Sequence, residues 1–408
     1  MNFIDLFAGA GGLSDGFVSA GFTPIAHIEM NEYASLTLKT RTCYYYLKEH
    51  RRLNVYYRYL RGEIFQEELY NSVPNNLLST IMNEEISDKS SEKIFNNIDN
   101  ILQYRGINKV DVIIGGPPCQ AYSLVGRSRD ENNMEDDPRN YLYKQYIKFL
   151  NKYKPDMFVF ENVPGILTAK GGKTFKNIIA FMKRVGYEVY AKPLNASDFG
   201  VLQNRKRIII IGWRKGSGLK YPEFESINVN AVVDDILRDL IPLNPGEENN
   251  EYIKPINKYL KWSGIRKKND VLTHHMCRTH NERDREIYRL AISAWNDGHR
   301  RLKYTDLPEK LCTHKNKESF LDRFKVLASD IPCSHTMIAH ISKDGHHFIH
   351  PYIEQCRSIS VREAARIQSF PDNYFFEGPR TAKFVQIGNA VPPLMAKGIA
   401  EKIKEMLD

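Results

Sequence analysis

The first nineteen residues set the strongest constraint on the fold. A short apolar run, Phe3-Ile4-Asp5-Leu6-Phe7, ends in Ala8-Gly9-Ala10-Gly11-Gly12, and apolar residues then recur at helical spacing through Leu13, Phe17 and Val18. This reads as strand, tight glycine turn and helix, the opening of a βα unit. A second strand, Pro24 to Ile28, ends on Glu29, and further short apolar runs lie at Val110 to Ile114, Met157 to Phe160, Tyr187 to Leu194 and Arg207 to Trp213. Amphipathic stretches of helix length, such as Tyr141 to Tyr153 and Phe175 to Val185, separate several of them. Strands alternating with helices predict an α/β fold with a mostly parallel, doubly wound sheet.

Two segments interrupt that rhythm. Thr40 to Asn97 reads as a helical insertion in which Arg41, Lys48, Arg51, Arg52, Arg58 and Arg61 are interleaved with Tyr44, Tyr45, Tyr46, Tyr56, Tyr57 and Tyr59. Such a segment is either a basic, aromatic surface for a phosphate backbone or a peripheral helix pair with solvated arginines and packed tyrosines. From about Lys215 to Pro351 Pro, Asn, His and Lys become frequent, which marks a candidate second domain. A helix at Ser360 to Gln368 and a terminal helix from Pro393 to Leu407 then return the chain to the first domain. The expected organisation is 1–214, with an insertion at about 40–97, then 215–351, then 352–408.

Composition narrows the class. The 408 residues are 42% hydrophobic and 26% charged, in the ordinary globular range. No apolar run approaches the roughly 18 residues of a membrane helix, and Met1-Asn2-Phe3-Ile4-Asp5 does not resemble a signal peptide, so a cytoplasmic location and reduced cysteines are expected. The formal charge of +9 permits an acidic partner such as nucleic acid without requiring one.

Glycines 9, 11 and 12 let a ligand approach the backbone closely. Glu29 ends the second strand at the distance where a carboxylate accepts both ribose hydroxyls of a nucleoside. The pair suggests an adenosine-containing ligand and leaves a dinucleotide and S-adenosylmethionine both open. A sharper signal is Gly115-Gly116-Pro117-Pro118-Cys119-Gln120, directly after an apolar strand. Glycines and prolines fix an unusual backbone path and present Cys119 at a strand's carboxyl end, where doubly wound folds bind ligands. A nucleophilic thiol also needs a positive field, for which Arg205 and Arg207 are candidates.

These residues and five further blocks closely resemble the DNA cytosine-5 methyltransferases: Asp137-Pro138-Arg139-Asn140-Tyr141-Leu142, Glu161-Asn162-Val163, Gln203-Asn204-Arg205-Lys206-Arg207, Arg362-Glu363-Ala364-Ala365-Arg366, and Gln386-Ile387-Gly388-Asn389-Ala390-Val391-Pro392-Pro393. The resemblance implies a Rossmann-like sheet with a smaller, irregular target recognition domain. It also implies methyl transfer from S-adenosylmethionine to C5 of a flipped-out cytosine in double-stranded DNA. In that chemistry Cys119 adds to C6 and Glu161 holds or protonates ring N3, for which burial would have to raise its pKa. Arg205 and Arg207, two apart at the start of a strand, would bind the cytosine O2 and steady Glu161. Cofactor contacts are implied for Phe7, Gly9, Gly11, Glu29, Asp99, Pro117, Leu142 and Asn389.

DNA contacts are implied for Gln120, Ser123, Arg127 and Ser128, in a segment that resembles the family's closing loop, and for Arg278 in the recognition segment. The last region also carries Arg283, Arg285, Arg300, Arg301 and Lys303. A cognate restriction endonuclease acting separately and a monomeric working unit are further expectations. A tRNA cytosine methyltransferase of the same fold is the alternative in substrate. A dinucleotide-dependent oxidoreductase leaves Cys119 and Gln203 to Arg207 without a role. No metal is expected, because Cys277-x-x-His280, Cys312-x-His314 and Cys333-x-His335 lack the paired spacing of a zinc site.

Overall fold

The computed structural model describes residues 1–118 and 142–408. Its centre is a seven-stranded sheet in the order β3-β2-β1-β4-β5-β7-β6. Strands β1 (Asn2–Leu6), β2 (Thr23–Glu29), β3 (Ile81–Asn83), β4 (Val112–Gly115) and β5 (Met157–Asn162) run parallel. β7 (Lys206–Arg214) is antiparallel to both β5 and β6 (Tyr187–Asn195). The central strands are buried on both faces, which is why they read as continuous apolar runs rather than alternating ones.

Helices cover both faces. On one, α1 (Gly12–Ser19) packs with the terminal helix, and Phe3, Leu13 and Phe17 share a core with Met395, Ala396 and Ile399. On the other lie α6 (Ser91–Tyr104), α7 (Leu142–Tyr153) and α8 (Lys173–Arg184), whose Ile94, Ile98, Tyr146, Phe149 and Ile178 cover Ile4, Leu6 and Phe158. Between β2 and β3 the chain forms α2 (Glu32–Glu49), α3 (Leu53–Leu60), α4 (Gln66–Asn71) and α5 (Asn75–Leu78). The side chain of Asn31 caps α2 by accepting from the Ala34 N–H at 3.0 Å.

Two expectations about organisation change here. The segment 40–97 is not one insertion: it contains β3, which pairs with β2, and the first turns of α6. Three residues of strand inside a polar stretch carry too little periodicity to be seen in the sequence. Its tyrosines follow the packed alternative, with Tyr44, Tyr56, Leu60 and Leu69 in one small core, and Arg41 is itself buried.

The C-terminal segment is also divided. Residues Ile359 to Ala390, with α11 (Val361–Ile367) and α12 (Arg380–Asn389), share a core with Val233, Ile236, Leu260 and Leu327 of the second region. Val391 and α13 (Pro393–Leu407) pack on the sheet itself. Within the second region α9 (Lys258–Ser263) joins that core, and α10 (Glu282–Gly298) builds a smaller one with Leu302, Leu311 and Phe324. Among the described residues no helix is long and apolar enough to cross a membrane.

The motif Arg362-Glu363-Ala364-Ala365-Arg366 is the joint between these parts. Ser360 caps α11, accepting from the Glu363 N–H, while the Glu363 carboxylate accepts the Ser360 N–H at 2.6 Å. Glu363 also receives both terminal nitrogens of Arg357 at 2.8 Å, and Arg366 bridges Asp239 and Asp372 at 2.5 and 2.6 Å. All of these charged side chains are buried. Breaking one partner of such a pair strands a buried charge.

Candidate active site

The carboxyl ends of β1, β2, β4 and β5 share one edge of the sheet with the start of antiparallel β7, so residues distant in sequence meet there. The backbone turns sharply after β1: Phe7, Gly9 and Gly11 all have positive φ, at 57°, 55° and 81°. Phe7 holds a conformation unusual for a bulky residue, a strain the surrounding structure must maintain. The Gly9 N–H donates to Glu29 Oε2 at 2.8 Å, and the Asn31 N–H donates to Oε1 at 2.7 Å. Burial raises the Glu29 carboxyl above its usual range, and these backbone donors oppose the rise.

A Cβ built on Gly9 would meet nothing within 4 Å, so the turn opens onto free space beside this carboxylate. A nucleoside with two vicinal hydroxyls fits that arrangement. Two residues that the motif blocks do not single out follow the ends of β2 and β3. Met30 is 61% exposed directly after Glu29, an apolar side chain suited to the face of a base. Glu85 is exposed in the loop after β3, which is tied to β2 by the Glu84 N–H donating to the Glu29 carbonyl at 3.1 Å. Recognising β3 was the signal needed to find Glu85.

Asp99 is not at this edge. It lies two turns into α6, half-exposed and paired with Lys152 at 2.7 Å. The helix runs away from the strand ends, since Arg105 at its far end donates to the carbonyl of Pro24, near the start of β2. Asn389, exposed at the end of α12, is better placed: the following Ala390 and Val391 pack against Gly12 in the turn. Leu142 is half-buried in the first turn of α7.

At the end of β4 the path is close to a neighbouring strand. A Cβ on Gly116 would come within 2.2 Å of the Glu161 carbonyl oxygen, so only glycine fits. Pro117 is buried, and its carbonyl accepts from Asn162 Nδ2 at 3.3 Å. The Glu161 carboxylate receives Arg207 Nε at 2.8 Å, with 17% and 11% of the two side chains exposed. Cys119, Gln120, Ser123, Arg127 and Ser128 lie outside the described residues.

Arg205 does not join this pair. It precedes β7, with its N–H bonded to Asn195 Oδ1 and its carbonyl to the Ala196 N–H, so the strand's two-residue alternation does not reach it. Its fully buried guanidinium donates to the carbonyls of Met337 and Gly388 at 2.5 and 3.1 Å. Gln203 beside it bonds Met337, Ile367 and Gln368. Both residues join the second region to the sheet.

Arg278 is likewise structural. Its guanidinium donates to the carbonyls of Ile341, Ser342 and Lys343 at 2.8 to 3.1 Å, leaving it committed to a turn rather than to a phosphate. Arg283, Arg285 and Arg300 pair with Asp284, Glu282 and Asp306. Arg301 is exposed and makes no ion pair among the described residues; it borders a cleft with Trp295, His335, Thr336 and Asn204, the last of these close before Arg207 in the chain. Cys277 is buried, with its thiol on the Asn244 carbonyl, and His280 bonds Ser358.

Comparison with known proteins gives the family. The family profile described as C-5 cytosine-specific DNA methylase matches residues 1–56 and 79–405, and the unmatched stretch runs from the middle of α3 to the end of α5. The chain is 44% identical to Type II methyltransferase M.Bpa9945I of Bacillus paralicheniformis, covering 99% of each protein. It is 32% identical to Type II methyltransferase M1.HphI of Haemophilus parahaemolyticus, over 100% of this chain and 87% of that one. Among solved structures, a DNA modification methyltransferase encoded within an E. coli prophage superposes with a TM-score of 0.65 at 25% identity, covering 100% and 99% of the two chains. With its motif blocks matched from Met1 to the terminal helix and the turn, Glu161 and Arg207 gathered at one sheet edge, the chain belongs to the C-5 cytosine-specific DNA methylases.

Proposed function

We propose that this DNA cytosine-5 methyltransferase acts on a flipped-out cytosine within a specific double-stranded sequence, through a covalent adduct of Cys119. The observation that carries the reading is the Glu161–Arg207 pair packed against Gly116 and Pro117, the residues that lead to Cys119. S-adenosylmethionine, when bound, supplies an electrophilic methyl group on a sulfonium sulfur. Glu29 would hold its ribose hydroxyls, with Phe7, Gly9 and Gly11 around the methionine part and Pro117, Leu142 and Asn389 as outer contacts.

Cytosine C5 is a poor nucleophile until a group adds at C6. Thiolate addition by Cys119 forms the S–C6 bond and places an electron pair at C5, which takes the methyl group. The C5 proton then passes to a water-derived base as the thiolate leaves C6, which restores the aromatic ring, and the spent methyl donor is a neutral thioether. Glu161 faces N3 in this arrangement, and Arg207 orients the carboxylate through Nε and gives Nη1 to the Lys206 carbonyl at 2.8 Å, which leaves Nη2 to meet the cytosine O2. A base inside a duplex is out of reach of such a site, which requires base flipping.

Arg301 and the cleft along Asn204 and Thr336 support contacts from the second region to DNA next to the flipped base. The likeness to type II methyltransferases supports a role in protecting host DNA from a separate restriction endonuclease, and we take a monomer as the working unit. Bisulfite sequencing of a randomised duplex library after incubation with S-adenosylmethionine tests the reading in one step. Conversion-resistant cytosines should appear in one sequence context, and Cys119→Ser should abolish them. A 5-fluorocytosine duplex should trap the wild-type chain covalently; a Cys119→Ser chain that traps equally refutes the adduct.

A further inference from the structure

The hydroxyl of Tyr374 donates to the carbonyl of Ala10, in the middle of the glycine turn, at 2.5 Å. Tyr374 is fully buried, and a Cβ on Gly11 would come within 2.9 Å of its oxygen, so turn and phenol are fitted to each other. Burial pushes the phenol pKa well up, which keeps the hydroxyl a donor. A phenylalanine would fill the same apolar space; only the oxygen reaches the turn.

The ring is itself fixed from α2. The Arg41 guanidinium stands 4.6 Å from the centroid of Tyr374 and 4.2 and 4.7 Å from those of Tyr44 and Tyr45. Arg41 Nε pairs with Asp15 of α1 at 2.6 Å, the Tyr45 hydroxyl donates to the same oxygen, and the Asp15 N–H donates to the Gly11 carbonyl at 2.8 Å. Arg41 Nη1 also donates to Asn373 Oδ1 at 2.8 Å.

The loop that carries Tyr374 is held on both sides by the helices between β2 and β3. The Tyr56 hydroxyl donates to the Asn373 carbonyl at 2.8 Å, and the hydroxyls of Thr40 and Tyr59 both donate to Glu377 Oε1, at 2.5 and 2.8 Å. Tyr59 falls in the stretch that the family profile does not match.

We propose that Tyr374 is a positioning residue for the glycine turn, and that α2 and α3 form a brace that holds its hydroxyl on the Ala10 carbonyl in the cofactor-binding conformation. These helices thus act on the glycine turn through the loop that carries Tyr374. This rests on the reading that the turn holds S-adenosylmethionine. The physical reason is that a turn with three positive-φ residues in five is conformationally costly, and a fixed buried donor selects the one arrangement in which Gly9 and Glu29 are presented together.

The test compares wild type, Tyr374→Phe, Tyr59→Phe and Glu29→Ala by calorimetric titration with S-adenosylmethionine, by DNA binding without cofactor, and by steady-state kinetics. Tyr374→Phe keeps ring and volume, and is expected to raise the Kd and KM for S-adenosylmethionine about tenfold, with kcat and DNA affinity within twofold of wild type. Tyr59→Phe should shift Kd two- to threefold in the same direction. Unchanged cofactor affinity in Tyr374→Phe, or a loss that runs in parallel for cofactor, DNA and the cooperative melt, overturns the positioning role. An unaffected Tyr59→Phe overturns the part assigned to α3. Wild type that binds no S-adenosylmethionine, or Glu29→Ala that binds it as wild type does, instead overturns the reading of the turn itself, and the brace with it.

Discussion

Arg207 Nε lies 2.8 Å from Glu161 Oε1, across the β5–β7 pair and close to Gly116 at the end of β4. The contact joins two strands that are far apart in sequence. It fixes a carboxylate and a planar cation side by side, and with Nη1 on the Lys206 carbonyl at 2.8 Å, Nη2 is the donor that the proposed function assigns to a pyrimidine carbonyl.

Arg207→Ala should therefore lower kcat by a factor on the order of 10² to 10³, while the Kd for S-adenosylmethionine stays within about twofold. Arg207→Lys should recover little, because an ammonium cannot reproduce the guanidinium fork. Single-turnover methylation beside cofactor titration separates the two quantities. Equal losses in both would place Arg207 in the cofactor site instead.

Glu29→Gln keeps the shape of the side chain but removes the charge that the Gly9 and Asn31 N–H groups meet. A charge-assisted hydrogen bond is worth roughly 1.5 to 3 kcal/mol, so cofactor affinity should fall about 10- to 100-fold. DNA binding without cofactor should be unaffected, as measured by fluorescence anisotropy.

Gly116→Ala inserts a methyl group 2.2 Å from the Glu161 carbonyl. Either the Pro117 path or the end of β5 must shift, and turnover should drop by roughly 10²-fold or more because catalytic geometry tolerates little displacement. A variant with wild-type kcat would show that the close approach is not needed for the chemistry.

Arg366→Ala leaves Asp239 and Asp372 buried without their shared cation. The expected loss is about 3 to 5 kcal/mol of stability, read as a lower urea midpoint, with no specific change in cofactor affinity in the protein that remains folded.

Acid should destabilise the protein in two stages. Burial lowers the pKa of His27, His275 and His335 to about 4, so these rings stay neutral in the folded chain and take up protons near 6.5 once unfolded. Their contribution is complete above about pH 6.5 and falls away between there and 4, because the unfolded state binds more protons. Burial alone would raise the Glu363 carboxyl, but Arg357 beside it brings it well below the usual range. That second contribution is lost only as pH falls below the ordinary carboxylate range. Thermal melts at pH 7.5, 5.5 and 4.5 should decline in that order, and a flat profile from 7.5 to 5.5 contradicts the histidine part.

Glu29, Glu161, Gly9 and Gly116 were legible in the sequence, because each is a strand-end residue whose place follows from a short apolar run and a fixed motif. Asp99 was misplaced for the opposite reason. β3 is three residues long and leaves no period to detect, so the loop that follows it, with Glu85, could not be registered against β2.

The residues alone dictate the alternation of strands and helices, the glycine turn and the chemistry implied by the motif blocks. These depend on local spacing, which the covalent chain sets directly. The use of the arginines is settled by packing instead. Arg207 and Arg205 sit two residues apart, yet one meets Glu161 and the other is sealed among the carbonyls of Met337 and Gly388. Arg278 is spent on a turn, and Arg41 is buried among tyrosines. A guanidinium can bind a phosphate, a carboxylate or a backbone carbonyl, so its partner is fixed by whichever acceptor the fold brings within reach, and that is not written in the residues beside it.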